Sequence, residues 1–252
     1  MIDLTGKTSI ITGGSRGIGR ATVLKFASAG SDVVIVYFKN QREAEEVANL
    51  AEAKGVRVLP IKGNVSSRKE MERVVDHTLK QFGKIDILVN NAGIWERAPL
   101  HTMKEEELER TLSINLKGVF YGCQLVCRPM MSQRSGRIVN ISSTAGQRGE
   151  PFYSHYAATK GAIISLTKSL AVELARYEIT VNAVAPGWVD TDMAALPLSN
   201  EEEREAILSL IPLRRVARPE EIADSVLFLT SDMASFITGE ILNVNGGAVL
   251  CG

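Results

Sequence analysis

The 252-residue chain balances 29 Lys and Arg against 29 Asp and Glu, and 45% of its residues are hydrophobic. Zero net charge argues against a nucleic-acid or acidic-membrane partner, and no apolar run approaches the roughly 18 residues of a membrane span. The length suits one α/β domain over residues 1–252. The start Met1-Ile2-Asp3-Leu4 does not read as a leader, and three cysteines make no even disulfide framework, so a cytoplasmic protein is expected.

Ser9-Ile10-Ile11-Thr12 predicts a first strand, and Gly13-Gly14-Ser15-Arg16-Gly17-Ile18-Gly19 follows it at once. Arg20 to Ala27 then shows helical apolar spacing. Strand, glycine turn and helix start in that order make a dinucleotide site. The glycines let the backbone approach a pyrophosphate, and the helix N-terminal amides and dipole stabilise its charge. Asp32 to Tyr37 predicts the second strand. Its end, where NAD enzymes usually carry an acid for the ribose 2′-hydroxyl, holds Tyr37-Phe38-Lys39 instead. Arg16 and Lys39 could flank a 2′-phosphate, which favours NADP(H).

A helix is predicted over Gln41–Lys54, with a capping box at Asn40-x-x-Glu43. A third strand over Val56–Ile61 ends near Asn64-Val65, and a helix from Ser67 to Phe82 opens with Ser67-x-x-Glu70. Ile85–Val89 is a fourth strand, leading into Asn90-Asn91-Ala92-Gly93. Ligands of parallel doubly wound sheets bind at the strands' carboxyl ends. This segment therefore either admits a cofactor or locks the loop within the sheet.

Thr102-x-x-Glu105 predicts the cap of a helical region to about Met131, interrupted by Gly118 and ended near Pro129, with Asn115 inside it. Cys123 and Cys127 share a helical face and suit core packing, while His77, His101 and His155 lack metal-ligand spacing. No metal is expected. Arg137–Ser143 is a fifth strand that delivers Ser143 to its carboxyl end, followed by a long helix over Tyr156–Arg176. Thr180–Ala185 is a sixth strand, closed by Pro186-Gly187. From Trp188 to about Arg218 the β/α rhythm breaks, with a short acidic helix at Glu201–Leu210. An insertion at a strand's carboxyl end suits a lid or substrate loop. Pro219 starts another helix, and Ile241–Val244 is the last strand. The sum is a Rossmann-like doubly wound parallel sheet of about seven strands, with helices on both faces.

Tyr156 and Lys160 stand one helical turn apart on one face. A free phenol titrates near ~10 and serves poorly as an acid or base at neutral pH. A cation beside it favours the phenolate and brings it toward working range. Such a tyrosine can give a proton to an alkoxide or take one from an alcohol.

Taken together, the chain resembles the short-chain dehydrogenase/reductase family over essentially its whole length. Thr12-Gly13-x-x-x-Gly17-x-Gly19, Asn90-Asn91-Ala92-Gly93, Ser143 with Tyr156-x-x-x-Lys160, and Pro186-Gly187 stand in family order and spacing. Within it, Ser15-Arg16-Gly17 and the ending Asn243-Val244-Asn245-Gly246-Gly247 are most similar to 3-oxoacyl-[acyl-carrier-protein] reductases. The resemblance implies that Tyr156 donates the proton and Ser143 polarises the carbonyl. Lys160 would hold the nicotinamide ribose and lower the tyrosine pKa, and Asn115 would hold a water linking Lys160 to solvent. It implies cofactor contacts from Gly13, Ser15, Arg16, Gly17, Ile18, Gly19 and Lys39, and from Asn91, Ala92, Gly93, Pro186 and Gly187. Asn64 and Val65 would meet the adenine, and Val189 and Thr191 the nicotinamide carboxamide.

The expected reaction is NADPH-dependent reduction of a small-molecule ketone, a 3-oxoacyl thioester or related carbonyl, to a secondary alcohol. The alternatives are an NAD-linked alcohol, sugar or steroid dehydrogenase and a non-catalytic nucleotide-binding regulator; intact Ser143, Tyr156 and Lys160 argue against the last. Family members are typically tetramers, and apolar helices around Tyr121–Val126 and Ile163–Leu174 suit a homotetramer. Two departures bear on substrate. Leu213–Arg218 carries arginine and alanine where the subgroup usually has glycines, and Tyr177 stands opposite Arg134, which matches a carrier-protein docking position. Trp95 and Phe152 are candidates for an apolar substrate wall or for the core.

Overall fold

The structure is a computed structural model that describes residues 2–250. In chain order it runs β1 (Thr8–Thr12), α1 (Gly17–Ser28), β2 (Asp32–Tyr37), α2 (Gln41–Glu52), β3 (Val58–Lys62), α3 (Arg68–Phe82) and β4 (Ile87–Asn90). The second half continues with α4 (Glu105–Leu112), α5 (Gly118–Gln133), β5 (Gly136–Ile141), the short α6 (Ala145–Arg148) and α7 (Ser154–Leu174). It ends with β6 (Ile179–Pro186), α8 (Ala195–Ser199), α9 (Glu201–Ser209), α10 (Pro219–Thr230) and β7 (Ile241–Val244).

All seven strands pair in parallel, in the order β3-β2-β1-β4-β5-β6-β7. Period-2 alternation sorts their side chains into two cores. Val33 and Ile35 of β2 pack with α1, α2 and α10, while Val34 and Val36 pack with α3, α5 and α7. Both faces are covered, which is why these strands read as continuous apolar runs. The order reverses between β1 and β4, and that switch point opens the crevice in which ligands of such sheets bind.

Local signals behave unevenly. Ser67 Oγ accepts from Glu70 N at 3.4 Å, while the Glu70 carboxylate takes Asn64 N at 2.9 Å, so only half of that capping box closes. Asn40 caps no amide of α2; its side chain donates to Glu43 Oε1 at 3.3 Å. Thr102 does not cap α4 either, because its hydroxyl turns back to Pro99 O and Glu107 takes Lys104 N at 2.8 Å. Nor does Gly118 interrupt the helical region. The irregularity is a π turn over Ser113–Lys117, and Gly118 allows close packing on Val65, whose Cγ2 would lie 3.0 Å from an added Cβ. Pro129 does not end α5, which runs to Gln133. The turn beyond it is held by Met130, fully buried against Gly136.

Cys123 is buried in the core and Cys127 is partly so, whereas Cys251 lies outside the described residues. Among the described residues no helix is long and apolar enough to cross a membrane.

Candidate active site

A cleft of ≈ 860 Å³ opens over the carboxyl ends of the strands, at the upper end of the usual size for a small-molecule site. Every catalytic and cofactor candidate from the sequence lines it except Gly19 and Asn115.

The glycine turn forms the cleft's first wall. Gly13 and Gly17 have φ of +67° and +52°, the left-handed region that glycine enters without strain. Arg16 precedes α1 without capping it, and the first turn of that helix holds no acid, so its leading amides remain for an anion. A Cβ on Gly19 would lie 2.1 Å from Gly13 O, so this glycine lets α1 pass beneath the turn and does not itself reach the cleft. Asn91 locks the turn from β4. Its Nδ2 donates to Thr12 O at 2.9 Å and to Gly13 O at 3.2 Å, while Thr12 Oγ1 accepts from Asn91 N and Ala92 N. The two readings of this segment thus coincide: Asn91 is the lock, and residues 91–93 still line the cleft. Backbone room at the turn and uncapped amides fit a dinucleotide.

At the far end of β2 stand Tyr37, Phe38 and Lys39, with no carboxylate among them. Arg16, expected to flank a 2′-phosphate, also has a carboxylate partner: Nη1 lies 3.6 Å from Asp192 Oδ2, an exposed pair joining the glycine turn to the loop after β6. Asn64 Oδ1, expected to meet adenine, already accepts from Ser66 N and Ser66 Oγ at 3.1 and 2.8 Å. Val65 lies beside it in the lining.

In the middle of the cleft, β5 delivers Ser143 and α7 delivers Tyr156 and Lys160. Lys160 Nζ donates to Ile141 O at 2.8 Å and sits 5.6 Å from the centre of the Tyr156 ring. Ser142 Oγ donates to Lys160 O at 2.9 Å, and Gly146 lets α6 press on the same turn, since a Cβ there would meet Lys160 C at 2.5 Å. Burial pushes the Tyr156 phenol up to about 12; Ser143 opposes this by hydrogen bonding and Glu150 adds to it. Burial also pulls Lys160 down to about 8. The expected lowering of the tyrosine is therefore overturned. Burial dominates, only the Ser143 hydrogen bond opposes it, and the Lys160 ammonium is committed to a carbonyl.

Asn115 lies outside the lining, 1% exposed within the π turn. Its Oδ1 accepts from Ile94 N at 2.8 Å and its Nδ2 donates to Ile94 O at 2.9 Å. This two-point clasp holds the irregular segment that follows Gly93. A Cβ on Gly93 would lie 3.4 Å from Asn115 Oδ1 and 3.7 Å from Lys160 Nζ.

Beyond Tyr156, Trp95 lines the cleft with Trp188, Arg148 and Glu150. Phe152 does not. It points outward at φ +66°, 54% exposed, with the Arg97 guanidinium 4.5 Å over its ring. Trp188 and Glu150 were missed because nothing in residue type marks them. Their positions, just after Pro186-Gly187 and just before the Tyr156 helix, were the available signal. The loop from Trp188 is closed at its base, where Ala217 N donates to Trp188 O and Asp190 N to Ala217 O, both at 2.9 Å. Arg214 within it adopts φ +55°, a conformation that suits glycine better. Pro186 and Gly187 floor the cleft, Gly187 N being held by Val244 O. Arg134 is engaged by Arg176 O and the Glu178 carboxylate.

A doubly wound sheet with a glycine turn at its switch point and a Tyr-Lys pair across the crevice defines a class of oxidoreductases. A family model described as Enoyl-(Acyl carrier protein) reductase matches residues 13–249, and the chain belongs to the short-chain dehydrogenase/reductase family. Among curated proteins it is 44% identical to the 3-oxoacyl-[acyl-carrier-protein] reductase FabG of Thermotoga maritima, over 98% of this chain and 99% of that one. It is 44% identical to FabG of Staphylococcus aureus, over 96% and 97% of the two chains. The 3-oxoacyl-[acyl-carrier-protein] reductase of Synechocystis is 41% identical, over 99% of this chain and all of that one. Among solved structures, the crystal structure of gox2181 superposes with a TM-score of 0.94 at 33% identity, covering 98% of this chain and 96% of the other.

Proposed function

We propose that the protein reduces a ketone, a 3-oxoacyl thioester or a related carbonyl, to a secondary alcohol with NADPH. The single observation that carries this is geometric: the half-buried Tyr156 faces the same cleft as Ser143, one helical turn from Lys160 and across from the glycine turn. A phenol that keeps its proton at neutral pH suits the donor of a reduction better than the base of an oxidation. Bound NADPH supplies the hydride to the carbonyl carbon. Tyr156 gives its proton to the developing alkoxide, and the Ser143 hydroxyl donates a hydrogen bond that strengthens as that charge grows. Lys160 holds positive charge under the ring and keeps α7 in register through Ile141. Asn115 acts behind them by fixing Ile94.

The names of the relatives support the thioester reading. Arg16 and Lys39 in the lining, with Tyr37 where an acid would stand, support the 2′-phosphate. The NAD-linked reading is favoured by one observation, the Asp192 carboxylate that occupies Arg16. We also infer one domain over the whole chain, with residues 188–218 as its substrate loop, and assembly as a homotetramer. Steady-state reduction of β-ketoacyl thioesters, diketones and keto sugars with NADPH tests the function. Turnover of thioesters above the other two classes is expected, and reduction of none of them would remove the proposal.

A further inference from the structure

The cleft ends, beyond Tyr156, in aromatic rings gathered around one carboxylate. Trp95 lies face to face with Tyr153, with ring centres 4.4 Å and planes 7° apart, and edge-on to Trp188 at 5.6 Å and 88°. Trp95 Nε1 donates to Glu150 Oε2 at 3.3 Å. The stack fixes the indole, and the indole in turn orients the carboxylate. Among the described residues this is the one hydrogen bond that the Glu150 side chain makes, while a carboxylate has acceptor room for about four. Glu150, Trp95 and Trp188 line the same cleft as Ser143 and Tyr156.

We propose that Glu150 selects the substrate by charge: it admits a neutral ketone and repels one that carries a carboxylate. This rests on the ketone-reduction reading of the site and names its substrate class. Two like charges a few ångströms apart repel strongly in a partly buried site. A 3-oxo compound would thus enter as a thioester, ester or amide and not as the free acid. The reach of this charge is already felt inside the site, since Glu150 contributes to raising the Tyr156 phenol. Burial raises the Glu150 carboxyl above its ordinary value, while the hydrogen bond from Trp95 and the charge of Arg148 favour its ionised form.

The test compares acetoacetate with its methyl ester, as kcat/KM with NADPH and as Kd from tryptophan fluorescence. The chain has 2 tryptophans, Trp95 and Trp188, so the intrinsic signal comes from this wall alone. Glu150→Gln should shrink the ester-to-acid preference at least ~10-fold by removing the repelling charge. Glu150→Asp, which keeps the charge, should retain most of it. A preference that is the same in wild type and Glu150→Gln, in both readouts, overturns the proposal. So does a loss that Glu150→Asp shares equally. If both compounds are reduced while Glu150→Gln changes nothing, the selection fails and ketone reduction stands. If neither is reduced while the Kd ratio shifts as expected, the selection stands and ketone reduction fails.

Discussion

Lys160 directs its ammonium at the main-chain carbonyl of Ile141, 2.8 Å away, at the carboxyl end of β5. The lysine thereby ties the strand that delivers Ser143 to the helix that delivers Tyr156.

That tie has a pH signature. Burial brings Lys160 from an ordinary value of 10.5 down to about 8. Between those values the folded protein binds fewer protons than the unfolded chain, so this group makes stability rise with pH over that window. Below pH 8 both states are protonated and the burial cost is fully present. The full relief is on the order of 3 kcal/mol. Urea unfolding of wild type and Lys160→Met at pH 7.5 and pH 10 should differ in slope, with the rise absent from the variant. Equal slopes would contradict a buried, depressed lysine.

Tyr156→Phe keeps the ring and removes the proton. The kcat for ketone reduction should fall at least ~10²-fold, the usual scale for a positioned acid. Because the phenol sits near 12, wild-type reduction should not lose this proton at neutral or mildly alkaline pH. Cofactor Kd, read by fluorescence, should change little. A variant with near-normal kcat would exclude Tyr156 as the donor.

Cofactor choice turns on Arg16. NADPH should be preferred over NADH, and Arg16→Ala should erode NADPH use far more than NADH use. Asp192 competes with the phosphate for the guanidinium at 3.6 Å. An exposed pair of this kind is worth about 0.2–1 kcal/mol, so Asp192→Asn should raise the NADPH preference by roughly 1.5- to 5-fold. Kinetics and cofactor Kd with both nucleotides decide this. Equal or better use of NADH by the wild type would put the NAD-linked alternative ahead.

The proposed homotetramer would cover apolar side chains that stand exposed in the single chain. Val172 on α7 is 82% exposed and Phe236, before β7, is fully so, while Phe120 projects from α5. Light scattering should give four times the chain mass, and Val172→Glu should shift the protein toward smaller species. A fully active monomer at assay concentration would refute the tetramer.

The strands were legible because each is a short apolar run between turn signals, and Asp32–Tyr37 and Ile241–Val244 match to the residue. The motif residues were legible for a different reason: a glycine turn, a strand-end serine and a Tyr-Lys pair each need a residue type that the backbone or the chemistry demands. What was hidden depended on tertiary partners. Asn115 looks like an unfavourable helical residue until Ile94 supplies both partners for its amide. The Arg16–Asp192 pair joins positions 176 residues apart that no local pattern relates. Caps failed where a competing carboxylate or carbonyl lay closer, as at Asn40 and Thr102.

Thr12 and Asn91 hold one another across 79 positions of chain. The glycine turn is therefore locked in its shape by a residue from the end of β4, the strand beside β1. Closing so long a loop carries an entropic cost that precedes any reward from the contact. An amino-terminal stretch with every glycine in place but no β4 therefore has the letters of the motif without the lock that shapes its pocket.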